Sequence, residues 1–101
     1  MEVKKQLSNE NCFIPVEVVA EIVYVLSKVY NVERDVVTKT LIDIANVSNI
    51  TVAQENVVLH ALRVYASTTL DFVDCLLIGY AKKSGYTIFT FDKKLLKILN
   101  K

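Results

Sequence analysis

Cys12-Phe13-Ile14-Pro15-Val16-Glu17-Val18-Val19-Ala20-Glu21-Ile22-Val23-Tyr24-Val25-Leu26 joins two different periodicities. Cys12-Phe13-Ile14 is a short apolar run halted by Pro15, which reads as a strand. Pro15 suits the first turn of a helix, where its missing N–H has no intrahelical partner to lose. Beyond it Val18, Val19, Ile22, Val23, Val25, Leu26 and Val29 recur at helical spacing, so a helix is predicted over 16–30, nearly all of it buried. A strand running straight into a helix is the unit from which α/β folds are built.

The same alternation extends in both directions. Residues 1–8 read as the end of a polar helix. Asn31 is a candidate cap for a helix carrying Val37, Leu41, Ile44 and Ala45, which the 46–49 stretch ends. Ile50-Thr51-Val52 is a short β-branched stretch, followed by a helix marked by Val57, Ala61, Leu62 and Tyr65 that ends near Ser67. Asp71 is placed to cap the next helix, whose stripe is Phe72, Leu76, Leu77, Tyr80 and Ala81, with Gly85 where a C-terminal glycine cap belongs. Thr87-Ile88-Phe89-Thr90-Phe91 gives the clearest strand signal in the chain, and 93–99 is helical again. Strands alternating with helices predict an α/β fold with a short, mostly parallel sheet flanked by helices.

With 101 residues and 52% apolar content, the chain is long enough for one domain with one core and too apolar for disorder. Two glycines and one proline leave few places for a hinge. No apolar run is long enough to span a bilayer, and the first ten residues carry charges where a signal peptide is apolar, so a cytoplasmic protein is expected. Cys12 and Cys75 are spaced for neither a zinc site nor a redox pair and read as reduced core thiols. A net charge of only +1 excludes a strong overall electrostatic footprint for nucleic acid, so any such contact must be local.

The carboxylates are the candidates for chemistry. In an open parallel sheet, ligands bind outside the carboxyl ends of the strands, where Asp92 falls, with Thr90 two residues earlier on the same face. Asp92 also fits a plain cap on the following helix. Asp71 and Asp74 lie three apart at a helix start, where the macrodipole favours negative charge and capping explains both. Asp74, between Val73 and Cys75, is a semi-buried carboxylate that needs a partner to stay charged, and a metal ion would serve. Glu21 interrupts the most apolar helix of the chain one turn after Glu17; Glu17 reads as solvent-facing and Glu21 as functional. His60 sits mid-helix with no evident partner and reads as structural.

Taken together, the 14–26 stretch with Glu21, Asp71-Phe72-Val73-Asp74-Cys75-Leu76-Leu77 and Phe89-Thr90-Phe91-Asp92-Lys93-Lys94-Leu95 resemble, in order, three acidic motifs of the PIN domain, in particular its VapC-like toxin nucleases. The resemblance implies a single PIN-like three-layer α/β domain over 1–101. It implies cleavage of single-stranded RNA with Mg2+ or Mn2+ held by Glu21, Asp74 and Asp92, and with Asp71 and Thr90 in support. Lys93 and Lys94 are candidate phosphate contacts, although a solvated helix start suits them as well. The family opens with a strand ending in an Asp-Thr-Asn-like element that supplies a first carboxylate, and this sequence lacks it. The expected fold is therefore incomplete at the N-terminus, with strand edges and helix faces to be covered by dimerisation or rearrangement. The alternative expectation is a degenerate PIN module that self-associates or binds an antitoxin without cleaving RNA.

Overall fold

The computed structural model describes residues 10–90 and 92–100. The described residues form two compact units that divide between Glu55 and Asn56.

The first unit is a strand–helix–helix–strand arrangement. Strand β1 (Cys12–Ile14) pairs in parallel with β2 (Ile50–Val52), in the register Cys12 to Ile50, Phe13 to Thr51 and Ile14 to Val52. The ladder is closed at its two ends by Cys12 N donating to Asn49 O at 2.8 Å and by Ala53 N donating to Ile14 O at 2.9 Å. Asn49 also donates from Nδ2 to Glu10 O, anchoring the entry to β1. Parallel partners need a long crossover. Here it consists of α1 (Val16–Tyr24), a π-helical turn (Val25–Val29) and α2 (Arg34–Ala45).

Pro15, at φ −64° and ψ 158°, is the extended residue on which α1 begins. It thus stands one position ahead of the first helical turn, and both Val18 N and Val19 N donate to its carbonyl. The π-helical turn widens the end of α1, with Tyr30 N reaching back five residues to Val25 O at 3.2 Å. The chain then reverses through Asn31 at φ 54°, a left-handed conformation that asparagine tolerates better than most residues. Asn31 is therefore a turn residue and not the helix cap. The cap position of α2 belongs to Glu33, whose side chain makes no capping bond.

Burial in this unit is narrower than the sequence suggests. Ile14, Val19, Val23, Val37, Leu41, Ile50 and Val52 are buried, and α2 packs on β2. Only Val19 and Val23 are buried on α1, while Val18, Tyr24 and Val29 are exposed. The expectation of a nearly all-buried helix is corrected accordingly. A run of valines satisfies the helical apolar template on every side, so periodicity alone does not say how much of the helix is covered.

The second unit contains α3 (Glu55–Ser67), α4 (Phe72–Ser84) and α5 (Lys93–Leu99). Its core is Val57, Val58, Ala61, Leu62, Tyr65, Leu70, Phe72, Cys75, Leu76, Ile78 and Leu95. Tyr65 and Phe72 meet edge to face, with ring centroids 5.9 Å apart. Such a pair contributes about 1 kcal/mol beyond the area it buries. Gly79 lets α3 and α4 come together closely, since a Cβ there would lie 2.8 Å from Val57 O. Gly85 ends α4 at φ 70°, as its position in the sequence foretold. Cys12 is half-buried and Cys75 buried, and neither is in a disulfide.

The segment predicted as the clearest strand is not one. Residues 87–90 lack regular structure, and Phe91 lies outside the described residues. Intrinsic β-preference reflects how well a side chain fits a half-buried pleated surface, and it requires a neighbouring strand to supply the ladder. Among the described residues the sheet consists of β1 and β2 alone, so 87–90 has no ladder to join. The helical end expected over residues 1–8 also lies outside the described residues. With five α-helices and a two-stranded parallel sheet among the described residues, the architecture remains α/β.

Candidate carboxylate site

The loop entering α4 is set by its own side chains. Thr68 Oγ1 donates to Val64 O at 2.8 Å and accepts from Leu70 N at 3.3 Å, while Leu70 is buried. The chain therefore reaches Asp71 in a fixed direction. Asp71 occupies the cap position of α4 in extended conformation, and Cys75 N donates to its backbone carbonyl at 3.1 Å. Its carboxylate makes no capping hydrogen bond. The capping explanation, adequate on sequence, does not account for this side chain, which is exposed.

Asp74 lies in the first turn of α4 and is half-buried, as its apolar neighbours implied. Burial pushes its carboxyl above the ordinary carboxylate value, and the negative charges of Asp92 and then Asp71 push it further in the same direction. Carboxylates from two helix starts thus act on Asp74.

Asp92 is held twice. Thr90 Oγ1 accepts from Asp92 N at 3.1 Å, and Asp92 Oδ1 accepts from Lys94 N at 2.9 Å and Leu95 N at 3.1 Å. Asp92 is therefore the cap of α5, and the two capping bonds end on Oδ1. Oδ2 has no part in the cap. Thr90 thus supports Asp92 through its backbone. It fixes the turn that presents the side chain. Leu95, three residues on, is 1% exposed and secures α5 against the unit's core.

Glu21 lies on an exposed face of α1 in the first unit, as does Glu17. Asp92 and Asp71 are the predicted site residues whose charges bear on Asp74 in the second unit. Lys93 and Lys94 are exposed in the first turn of α5, where a helix dipole disfavours cations. Among the described residues, no group of three His, Cys, Asp or Glu side chains is disposed to hold a metal ion alone.

Comparison with known proteins gives the family. The PIN domain family model matches residues 1–100. The chain belongs to the PIN domain family. A VapC ribonuclease of Aquifex aeolicus (strain VF5) is 30% identical over 90 residues, which are 88% of this chain and 67% of that relative. No solved structure matches the chain. In this PIN domain no described helix is long and apolar enough to cross a membrane.

One group of residues escaped the sequence reading. His60, half-buried on α3, has its pKa lowered first by burial and then by the positive charges of Lys83, Arg63 and Lys82. The three cations come from two helices, Arg63 from α3 and Lys82 and Lys83 from the end of α4. The available signal was the three-residue spacing of His60 and Arg63, which puts them on one helix face. The influence of Lys82 and Lys83 on His60 comes from another helix, which no local pattern announces.

Proposed function

We propose that this PIN domain is a metal-dependent endoribonuclease of the toxin type, cutting single-stranded RNA with carboxylates as its working groups. The observation that carries the reading is Asp74: a half-buried carboxylate driven up by burial and by Asp92 and Asp71. Like charges gathered at a partly desolvated point destabilise the free protein unless a cation joins them. The relative from Aquifex aeolicus is named a ribonuclease, which supports the same reaction class.

The donors suit a hard divalent ion, Mg2+ or Mn2+, because they are all carboxylate oxygens. Mg2+ keeps several waters and is commonly bound by one or two carboxylates together with substrate phosphate, so it does not require a complete cage of side chains. Asp74 and Asp92 would hold it, the latter through the oxygen its cap leaves over. The family resemblance adds Glu21 as a further donor. When bound, such an ion lowers the pKa of water and stabilises charge on the phosphate being cut.

The chain's own residues then have distinct tasks. Asp71 adds negative charge beside Asp74 and raises its affinity for a cation. Thr90 fixes the turn into Asp92, and Leu95 holds the helix that Asp92 caps. Lys93 and Lys94 would offer positive charge to RNA phosphates, which would offset their unfavourable place at a helix N-terminus. A homodimer and an antitoxin partner complete the reading at the level of assembly.

The deciding experiment measures cleavage of single-stranded RNA with Mg2+, with excess EDTA, and for Asp74→Asn. Cleavage is expected with Mg2+ only and is expected to vanish in the variant. Equal activity in EDTA, or in Asp74→Asn, would sink the assignment. No cleavage by the unaltered protein would favour the degenerate module that binds a partner without cutting.

A further inference from the structure

The C-terminal end of α4 carries a feature that the carboxylates do not use. Gly85 N and Tyr86 N both donate to the Tyr80 carbonyl oxygen, the latter at 3.4 Å. Gly85, at φ 70°, turns the chain so that the Tyr80 and Tyr86 rings meet with centroids 6.2 Å apart and planes tilted by 53°. An apolar contact across a glycine cap is common at helix ends. It explains why two side chains meet here, but an aliphatic pair would serve as well, and Tyr86 remains 63% exposed. Phe89, three residues on, is 84% exposed. Single exposed apolar residues need no explanation, whereas two aromatic rings exposed within four residues concentrate apolar surface in one place.

The charge beside these rings has one sign. From Cys75 to Phe91 the sequence contains no acidic residue, and its charged residues are Lys82 and Lys83, both exposed. Lys83 follows Tyr80 by three residues and so shares its helix face. The dipole of α4 accounts for lysines at its C-terminus, but not for exposed rings next to them. A ligand suited to this place has flat apolar faces and negative charge. Unpaired RNA has both, because its bases stack on aromatic side chains while its phosphates meet cations. An acidic peptide has the charge without the flat faces. Tyr86 stands six residues before Asp92, so at most about 21 Å of chain separates the rings from the carboxylates, a distance that several nucleotides cover.

We propose that Tyr86, backed by Tyr80 and flanked by Lys82 and Lys83, is a stacking site for an unpaired base of single-stranded RNA, set apart from the carboxylates. This deepens the ribonuclease reading and rests on it for the identity of the ligand. Every base has a π-face, so such a site positions a strand without selecting its sequence. The two backbone bonds to the Tyr80 carbonyl hold Tyr86 in place before RNA arrives, which reduces the conformational freedom lost on binding.

Binding to the full chain is measured in excess EDTA by the fluorescence anisotropy of a labelled single-stranded RNA oligonucleotide and of an abasic oligonucleotide with the same number of phosphates. The abasic strand is expected to bind more weakly by about tenfold or more. Tyr86→Leu, which keeps an apolar contact with Tyr80 and removes the flat ring, should weaken RNA binding by about the same factor and leave abasic binding unchanged. Tyr86→Phe should bind RNA as the natural protein does. K82Q/K83Q should lower the slope of log affinity against log salt by about 1.4, at about 0.7 for each contact to a single strand, whereas Tyr86→Leu leaves the slope unchanged. Each variant is first shown to keep the helical circular dichroism of the natural protein. Equal affinity for the two strands would overturn the proposal, and that comparison needs no variant. RNA binding by Tyr86→Leu equal to that of the natural protein would overturn it too. So would an acidic leucine-rich peptide that displaces the labelled RNA as readily as unlabelled RNA does, which would assign the surface to a protein partner. Base-dependent binding without any cleavage in Mg2+ would count against the ribonuclease reading alone, because stacking needs no catalysis.

Discussion

Asp92 must satisfy a helix and, on the proposed mechanism, a metal ion with one carboxylate. The division is geometric, because Oδ1 takes both capping bonds. Asparagine caps about as well as aspartate but carries no charge, whereas alanine does neither. Asp92→Asn should therefore leave thermal stability almost unchanged and eliminate metal-dependent RNA cleavage. Asp92→Ala should lose cleavage and also about 1 kcal/mol of stability. Equal melting temperatures for the two variants would show that the cap contributes nothing. At Asp74 the sign of the pKa shift makes a further prediction. Its folded-state value is raised, so the stabilisation it gives is fully present below the ordinary value of 3.8 and is lost as pH rises through the folded value. At pH 7 without metal, Asp74→Asn should melt at a higher temperature than the natural protein, and the gap should close towards pH 3. A divalent ion that binds the ionised form reverses the order: at a hundredfold excess over Kd it stabilises the unaltered protein by about 2.7 kcal/mol and leaves Asp74→Asn nearly untouched. Melting curves at pH 7 with Mg2+ and with EDTA check both statements.

Among the elements, the contact of α3 with α4 depends on one missing side chain. Helix propensity alone favours alanine over glycine at position 79 by about 1 kcal/mol. The added Cβ would stand 2.8 Å from the Val57 carbonyl oxygen, a backbone atom that moves only if the helix moves. Overpacking of this kind costs about 1–3 kcal/mol, so the clash wins and Gly79→Ala should lower the melting temperature by several degrees. Gly85→Ala should also destabilise, by about 1–2 kcal/mol, for a different reason: open space surrounds it, but φ is 70°. Asparagine separates the cases, because it tolerates the left-handed conformation at 85 and not the crowding at 79. Gly85 was legible in the sequence since a cap glycine needs only its own helix to be recognised, and the strand β1, halted by Pro15, was legible for the same reason. The segment 87–90 was misread because its side chains specify a preference and a sheet needs a neighbour. Asn31 was misassigned because asparagine serves both as a cap and as a left-handed turn residue, and the π-helical turn that decides between them leaves no local pattern. Asp71 and Asp74 were placed correctly at the start of α4, yet the absence of a cap bond at Asp71 could come only from its side-chain geometry.

For the whole molecule, a net charge of +1 gives no overall attraction for a polyanion, while within the second unit the charges of Asp92 and Asp71 raise the pKa of Asp74 beyond what burial does. On the proposed function, metal binding and RNA binding respond differently to solution conditions. Coordination of a divalent ion by carboxylates is a short-range interaction, while backbone contacts weaken steeply with monovalent salt. RNA cleavage should therefore lose substrate affinity as salt rises from 50 to 200 mM, appearing as a larger KM, with kcat changing far less. Glu21→Gln provides the contrast. If Glu21 contributes to metal binding, as the family resemblance implies, its loss should lower kcat and raise the Mg2+ concentration needed for half-maximal rate, with the salt dependence of KM unchanged. A Glu21→Gln protein with the natural Mg2+ requirement would remove Glu21 from the donor set and leave Asp74 and Asp92 to hold the ion with water and substrate phosphate.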